Sequence, residues 1–321
     1  MPLILPPPRP RADFPVVTRD RRLPDPLRGG VVAVGNFDGV HLGHRHVLAE
    51  ARALAAKAGS PAVALTFEPH PRAFFQPAQP MFRLTSPETK ARLLAAEAID
   101  AVAVAAFDAP FAALSADQFV SDVLIDWLGA SHVVVGRDFH YGAGRAGSPG
   151  MLREAGSKQG FAVTEVGALL REGAPVSSSS IRTALSGGDL ATARDLLGRD
   201  WFVTTEVIHG DKRGRDLGYP TANLRLAPGT DLRFGIYAVK LGIDGVWRDG
   251  VASFGRRPTF DNGAPLLEVH VFDFAGDLYG RSVDVVFAGF IRDELKFDGI
   301  EALVAQMDRD SLAARDILKS A

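Results

Sequence analysis

Between residues 31 and 197, short β-branched runs alternate with longer stretches rich in Ala and Leu, and this alternation restricts the fold more than any other feature of the chain. The runs at 31–34, 62–67, 101–107, 132–135 and 161–166 have the length of strands and carry little polar alternation. They therefore predict strands buried on both faces, as in a parallel sheet. Stretches at 47–58, 87–98, 116–128 and 150–159 space their apolar residues as helices do, and Ser86 and Ser115 stand where N-caps belong. A helical pair at 180–185 and 190–197 closes this half. The result is a series of βαβ units.

After Gly198 the period changes. Runs at 204–208, 236–243, 247–253, 266–272 and 283–288 mostly alternate and follow one another through Gly-bearing turns, which predicts an antiparallel barrel or sandwich. Two amphipathic helices, 300–308 and 312–319, are expected at the C-terminus. The change of period divides the chain into 1–198 and 199–321. The Pro-rich residues 1–26 read as a loosely structured arm.

Composition narrows the chemistry. With 36 Lys and Arg against 38 Asp and Glu there is no basic excess to suggest a nucleic-acid partner. The absence of cysteine removes disulfides, thiolate nucleophiles and cysteine-ligated metal centres, and suits a reducing compartment. Apolar runs such as 101–107 are far shorter than the ~18–20 residues of a membrane span, and no signal peptide is evident. A cytoplasmic protein with no membrane partner is expected.

Gly35-Asn36-Phe37-Asp38-Gly39-Val40-His41-Leu42-Gly43-His44 begins where the first of these strands should end, at the edge of a parallel sheet where α/β proteins bind ligands. Its glycines let backbone approach a bulky anion. If His41 and His44 open the following helix they share a face, at the end where amide donors favour phosphate. Surface histidines on a capped helix, or a metal site including His46, are the alternative readings. Ser177-Ser178-Ser179-Ser180-Ile181-Arg182 lies late in the same half, and its bland reading is a flexible loop.

In the second half, Gly210-Asp211-Lys212-Arg213-Gly214-Arg215-Asp216-Leu217-Gly218-Tyr219-Pro220-Thr221-Ala222-Asn223 interleaves glycines with cations, a composition suited to polyphosphate. Thr221 and Asn223 offer neutral oxygens to a hard cation such as Mg²⁺. A solvated basic hairpin would look similar. The Walker A order is absent.

These stretches resemble a known family. The first is similar to the HxGH signature of nucleotidyltransferases in the version found in bacterial FAD synthetases. The serine run resembles its Ser-Ser-Thr-x-x-Arg partner, with Ser179 at the Thr position. Thr66-Phe67-Glu68-Pro69-His70-Pro71 and Val135-Gly136-Arg137-Asp138-Phe139-His140-Tyr141-Gly142 extend the likeness. The Gly210–Asn223 stretch matches the flavokinase signature, and Leu267-Glu268-Val269-His270 resembles the context of that family's glutamate base. Phe254-Gly255-Arg256-Arg257-Pro258-Thr259 resembles a structural turn of the same family.

The resemblance is to the prokaryotic bifunctional riboflavin kinase/FMN adenylyltransferase (FAD synthetase) family. It implies a Rossmann-like nucleotidyltransferase sheet followed by a flavokinase β-barrel with terminal helices. It also implies ATP as co-substrate, Mg²⁺ as cofactor, and riboflavin, FMN and FAD as substrates and products. In the first half, Gly35, Asn36, Phe37, Asp38, His41, Gly43, His44, Ser177, Ser178, Ser179 and Arg182 would bind ATP, with His41, His44 and Arg182 catalytic. Phe67, Asp138 and Tyr141 would lie at the flavin, although Phe67 taken alone reads better as core. In the second half, Gly210, Lys212, Gly214, Arg215, Thr221 and Asn223 would bind ATP, Thr221 and Asn223 would hold the metal, and Glu268 would activate the ribityl hydroxyl. Two rivals share parts of this pattern: a nucleotidyltransferase acting on another nucleotide, and a regulator whose barrel binds RNA.

Overall fold

The structure, a computed structural model, describes residues 2–210, 218–256 and 265–320. It packs as two compact units, one spanning Arg9–Ser178 and the other joining the residues up to Pro8 to those from Ser179 on.

The first unit is built on six parallel strands: β1 (Val16–Thr18), β2 (Val31–Val34), β3 (Ala62–Glu68), β4 (Ala101–Ala106), β5 (His132–Gly136) and β6 (Ala162–Val166). Their order is β1-β4-β3-β2-β5-β6. All residues of β2 are buried, as is β3 up to Phe67, which is why both read as unbroken apolar runs. The chain winds from β2 outward through β3 and β4, then returns to place β5 on the other side of β2. Val34 is consequently flanked by Leu65 and Val135. This reversal of strand order opens a crevice at the carboxyl ends of β2 and β5, the usual ligand position in such sheets. The Leu42–Ala58 helix packs Val47, Leu48, Ala51 and Ala55 inward and ends at Gly59 in the left-handed region, φ 63°.

Two expectations for this unit need correction. Residues 1–26 are not a loose arm throughout: Val16–Thr18 pairs with β4, and Leu23 is 1% exposed within the core. The prolines flank these apolar residues without interrupting them, so their density misleads. The helix expected over 116–128 is an α-turn, Ala116–Gln118, capped by Ser115, that continues as a π-helical stretch, Phe119–Trp127. Phe119, Val120, Val123, Leu124 and Trp127 still reach the core from it.

The second unit is a closed antiparallel barrel. With the two-residue strands Leu170–Arg171 and Ala174–Pro175 of the first unit taken as β7 and β8, its strands are β9 (Phe202–Ile208), β10 (Thr221–Leu224), β11 (Gly235–Ile243), β12 (Val246–Arg256), β13 (Pro265–Val271) and β14 (Ser282–Arg292). They close in the order β10-β13-β12-β11-β14-β9, so the barrel alternative holds over the sandwich. Strand β10 escapes sequence reading because its four residues lie inside a polar motif. The two expected C-terminal helices are one, Ile300–Ser320. The polar residues Arg309, Asp310 and Ser311 look like a break, but Asp310 is 4% exposed and accepts from Arg292 Nε at 2.8 Å and Gln306 Nε2 at 2.8 Å. A buried carboxylate with such partners does not end a helix. Ala314 and Leu318 then pack on Ala238, Val251 and Phe272 of the barrel wall.

The corrected arm has a measurable consequence. Leu23→Ala should destabilise the first unit by about 3 kcal/mol, as truncation of a buried leucine does, where a loose arm would lose nothing; denaturant unfolding of the full chain distinguishes the two.

Candidate functional site

The crevice at β2 and β5 collects the first motif. After β2 the chain turns through Phe37 (φ 50°), Gly39 (φ 84°) and Val40 (φ 39°) before entering the Leu42–Ala58 helix. His41 is the N-cap of that helix: it is 5% exposed, and its Nδ1 accepts from the His44 backbone N–H at 3.3 Å. An accepting Nδ1 leaves the proton of the neutral ring on Nε2, so His41 retains a donor beyond its capping bond. The His44 ring stacks on it with centroids 3.6 Å apart and 19° between planes, and Phe37 meets His44 edge-on at 5.3 Å. The helix cap is therefore one member of the stacked histidine pair. His46, by contrast, is exposed.

The loop packs tightly around Gly43. A Cβ on Gly43 would stand 3.1 Å from the His41 ring and 3.1 Å from the Val176 carbonyl. Val176 leads into the serine run, and Ser178 Oγ donates to the Asp38 carbonyl at 2.9 Å. Within the Arg9–Ser178 unit, Ser177 and Ser178 thus adjoin the first motif, while Ser179 and Arg182 continue along the Ser178–Gly187 helix.

Asp38 is 1% exposed, and its carboxylate accepts from Leu84 N, Thr85 N and Thr85 Oγ1, each at 3.1 Å. The Thr85 hydroxyl in turn accepts from Gly39 N at 3.1 Å. Beside it lies a charged network that sequence reasoning missed. Glu68, the last residue of β3, receives both Arg83 guanidinium nitrogens at 2.8 and 2.7 Å and the Lys90 ammonium at 2.7 Å. Burial pushes the Glu68 carboxyl up, but Arg83 and Lys90 outweigh it and hold the group below the usual carboxylate range. Burial lowers Lys90. The available signal was Lys90 in the apolar stripe of its helix, with Leu93 and Leu94 three and four residues on.

Of the residues expected at a flavin, Asp138 is exposed in the turn that follows β5. Tyr141 is 6% exposed, stacks on Phe139 at 5.6 Å and packs in the same core cluster as Phe67. Burial, with Asp117 nearby, raises the Tyr141 phenol.

In the barrel, pairing sets the second candidate site. Thr221 lies opposite His270 and Asn223 opposite Glu268, while Ser253 flanks Glu268 from β12. The alternate residues Ala222, Leu224, Leu267, Val269 and Val271 are buried, so Thr221, Asn223, Glu268 and His270 occupy the other face. His270 Nδ1 lies 2.9 Å from the Pro220 carbonyl, which can only accept, and this fixes the turn ahead of Thr221. A Cβ on Gly210 would fall 2.3 Å from the Asn223 amide, so glycine there makes room for it. Asn223 is 4% exposed, and among the described residues its Oδ1 has no hydrogen-bond partner. A buried carbonyl oxygen left this way costs about 1–3 kcal/mol, and a hard cation or its bound water would satisfy it. Lys212, Gly214 and Arg215, like Arg257, Pro258 and Thr259, lie outside the described residues.

Comparison with known proteins assigns both halves. The family model described as FAD synthetase matches residues 24–180, and that described as riboflavin kinase matches residues 197–318. A bifunctional riboflavin kinase/FMN adenylyltransferase of Pseudomonas fluorescens is 43% identical over 90% of this chain and 93% of its own. The protein of that description from Escherichia coli K12 is 41% identical over 91% and 93%. A crystal structure titled macrolide-efflux protein, from Streptococcus pneumoniae, superposes with a TM-score of 0.83 at 31% identity, covering 94% of this chain and 98% of that one. Among the described residues of this chain, no helix is long and apolar enough to cross a membrane.

The charged network yields a pH-dependent prediction. Because the Glu68 carboxyl is held below its ordinary value of 4.5, its stabilising contribution is full above that pH and is lost as pH falls through the folded value. Glu68→Gln should therefore lower stability by about 3 kcal/mol at neutral pH, as breaking a buried ion pair does. The gap from the parent should close as the solution is acidified below pH 4.5. A gap that denaturant titrations find constant with pH would show that the Glu68 charge is not involved.

Proposed function

The chain belongs to the bifunctional riboflavin kinase/FMN adenylyltransferase family, and we propose that it makes FMN and then FAD at two separate residue sets, one around the His41–His44 pair and one on the barrel wall. It phosphorylates riboflavin with ATP and adenylylates the FMN so formed. The observation that carries the division of labour is the pairing of one stacked histidine couple at a helix start with one Asn–Glu row on a barrel wall.

In the adenylyl transfer, a phosphate oxygen of FMN attacks the α-phosphorus of ATP; the new P–O bond forms as the bond to the β-phosphate breaks, and pyrophosphate departs. The protein's task is to stabilise negative charge as it shifts toward the leaving group. His41 Nε2–H and the His44 ring, at the positive end of the helix dipole, suit that task. Gly35, Asn36, Phe37, Asp38 and Gly43 shape the turn that carries them. Ser177, Ser178, Ser179 and Arg182 receive the pyrophosphate, and Phe67, Asp138 and Tyr141 border the flavin.

In the kinase reaction, the 5′-hydroxyl of riboflavin attacks the γ-phosphorus, ADP leaves, and Glu268 accepts the hydroxyl proton. Thr221 and Asn223 would hold Mg²⁺, a role supported by the buried, unpartnered Asn223 Oδ1 among the described residues. When bound, the ion neutralises charge on the polyphosphate. Gly210, Lys212, Gly214 and Arg215 complete the nucleotide loop. Both reactions belong to the cytoplasm on this reading, in keeping with a chain that has no cysteine.

A crossed experiment tests the assignment. His41→Ala with His44→Ala should lower FAD formation by at least ~10²–10³-fold while riboflavin phosphorylation continues and FMN accumulates. Glu268→Gln should lower FMN formation ~10²–10⁴-fold while added FMN is still converted to FAD. Loss of both activities in either variant, or of neither, refutes the separation.

We place the boundary between the catalytic modules, 1–198 and 199–321, at Gly198, which ends the Leu190–Leu197 helix with φ 68°. The preceding helices nonetheless brace the barrel unit: Leu185 O accepts from Arg233 N at 3.1 Å and Gly187 O from Arg233 Nη1 at 3.1 Å. A fragment of residues 199–321 should make FMN, and one starting at residue 179 should do so with a higher melting temperature. A folded 199–321 fragment that makes none would refute the boundary.

A further inference from the structure

Lys90 is 2% exposed, yet none of the roles above uses it. From the Pro87–Ala96 helix its ammonium reaches Glu68 Oε1 at 2.7 Å, Thr66 Oγ1 at 2.9 Å and the Asn36 carbonyl at 3.3 Å. Thr66 Oγ1 itself donates to the Asn36 carbonyl at 3.1 Å. Asn36 is the residue after which the backbone enters its positive-φ turn at Phe37.

The surrounding charges balance. Glu68 and Asp38 are matched in number by Lys90 and Arg83. Arg83 also holds Glu68, through both guanidinium nitrogens. Lys90 reinforces the link that Thr66 makes: its ammonium donates to Glu68 and Thr66 of β3 and to the Asn36 carbonyl, tying the end of β3 to the first turn of the loop. An apolar side chain of similar length would fill the same space and leave the Asn36 carbonyl with one donor fewer.

We propose that Lys90 is a positioning residue for adenylyl transfer: through the Asn36 carbonyl it fixes the turn that delivers His41 and His44 to the start of their helix. The inference rests on the reading of that histidine pair as the phosphate-facing donors. Small displacements of such groups have large effects, and a shift of about 1 Å can cost roughly 10²-fold in rate. The loss falls on kcat, because the donors act on charge that develops during transfer.

The test uses the full chain, in which riboflavin phosphorylation serves as an internal control. Lys90→Met should lower kcat for FAD formation from FMN and ATP by about 10²-fold, with KM for ATP changed little and FMN formation unaffected. Lys90→Ala, which opens a cavity, should recover FAD formation in proportion to added ethylamine and not with ethanol. A purely structural lysine predicts a lower melting temperature, normal kcat for the folded molecules and no response to the amine; that result overturns the proposal. If the methionine variant does not fold, Lys90→Ala without added amine is read in its place, and an unchanged kcat there also overturns it. His41→Ala with His44→Ala is measured in parallel. An active double variant defeats the histidine reading itself, whereas an inactive one beside a fully active Lys90→Met defeats only the inference about Lys90.

Discussion

The turn between Asn36 and Val40 runs against the preferences of its own residues, and it leads directly into the stacked histidines at the start of the following helix. Phe37 at φ 50° and Val40 at φ 39° occupy a region that bulky and β-branched side chains avoid, at a cost of about 1–3 kcal/mol each. Such a conformation persists only where the surroundings leave it no alternative. Here the turn is fastened at successive residues: Asn36 by Thr66 and Lys90, Asp38 by Leu84, Thr85 and Ser178, and Gly39 by Thr85. The strained turn brings His41 out as the cap that starts the helix.

The barrel solves its own positioning problem without strain. Alternation along β10 and β13 sends every second residue into the interior, and the pairing of Asn223 with Glu268 follows from register alone. The Glu268 carboxylate and the Asn223 amide are thereby neighbours on one barrel wall. The exception is Asn223 Oδ1, buried and unpartnered among the described residues. A closed barrel keeps such a cost localised, because the pairing on either side of β10 does not depend on it.

How much of this was legible in the sequence follows the range of the forces involved. Strand runs such as 31–34 and 132–135 are set by burial on both faces, a property of each residue type, and the structure reproduces them. Helix starts at Ser86 and Ser115 rest on a hydroxyl and an amide three residues apart, which is also local. What escaped was decided by distant partners. Val16–Thr18 is a strand because β4 offers it an edge. Asp310 sits inside a helix because Arg292, far away in sequence, receives it. The motifs marked His41, His44, Asn223 and Glu268 because their residue types and spacing are chemically unusual. Arg83 and Lys90 were passed over for the opposite reason, since a cation in a loop or on an amphipathic helix ordinarily faces water.

The choice of charge over apolar packing around Asn36 can be argued on energetic grounds. A buried ion pair rarely stabilises a fold more than well-packed hydrophobic residues of the same volume. Stability alone therefore does not account for Glu68, Arg83 and Lys90 together at the ends of β2 and β3. Directionality does. Apolar contacts tolerate sliding by fractions of an ångström, whereas an ammonium bonded to Glu68 and Thr66 of β3 and to Asn36 of the turn is defined in position by acceptors on two segments. Such a fastening ties a strained turn to the rigid strand edge beside it, and the stacked histidines take their place from that turn.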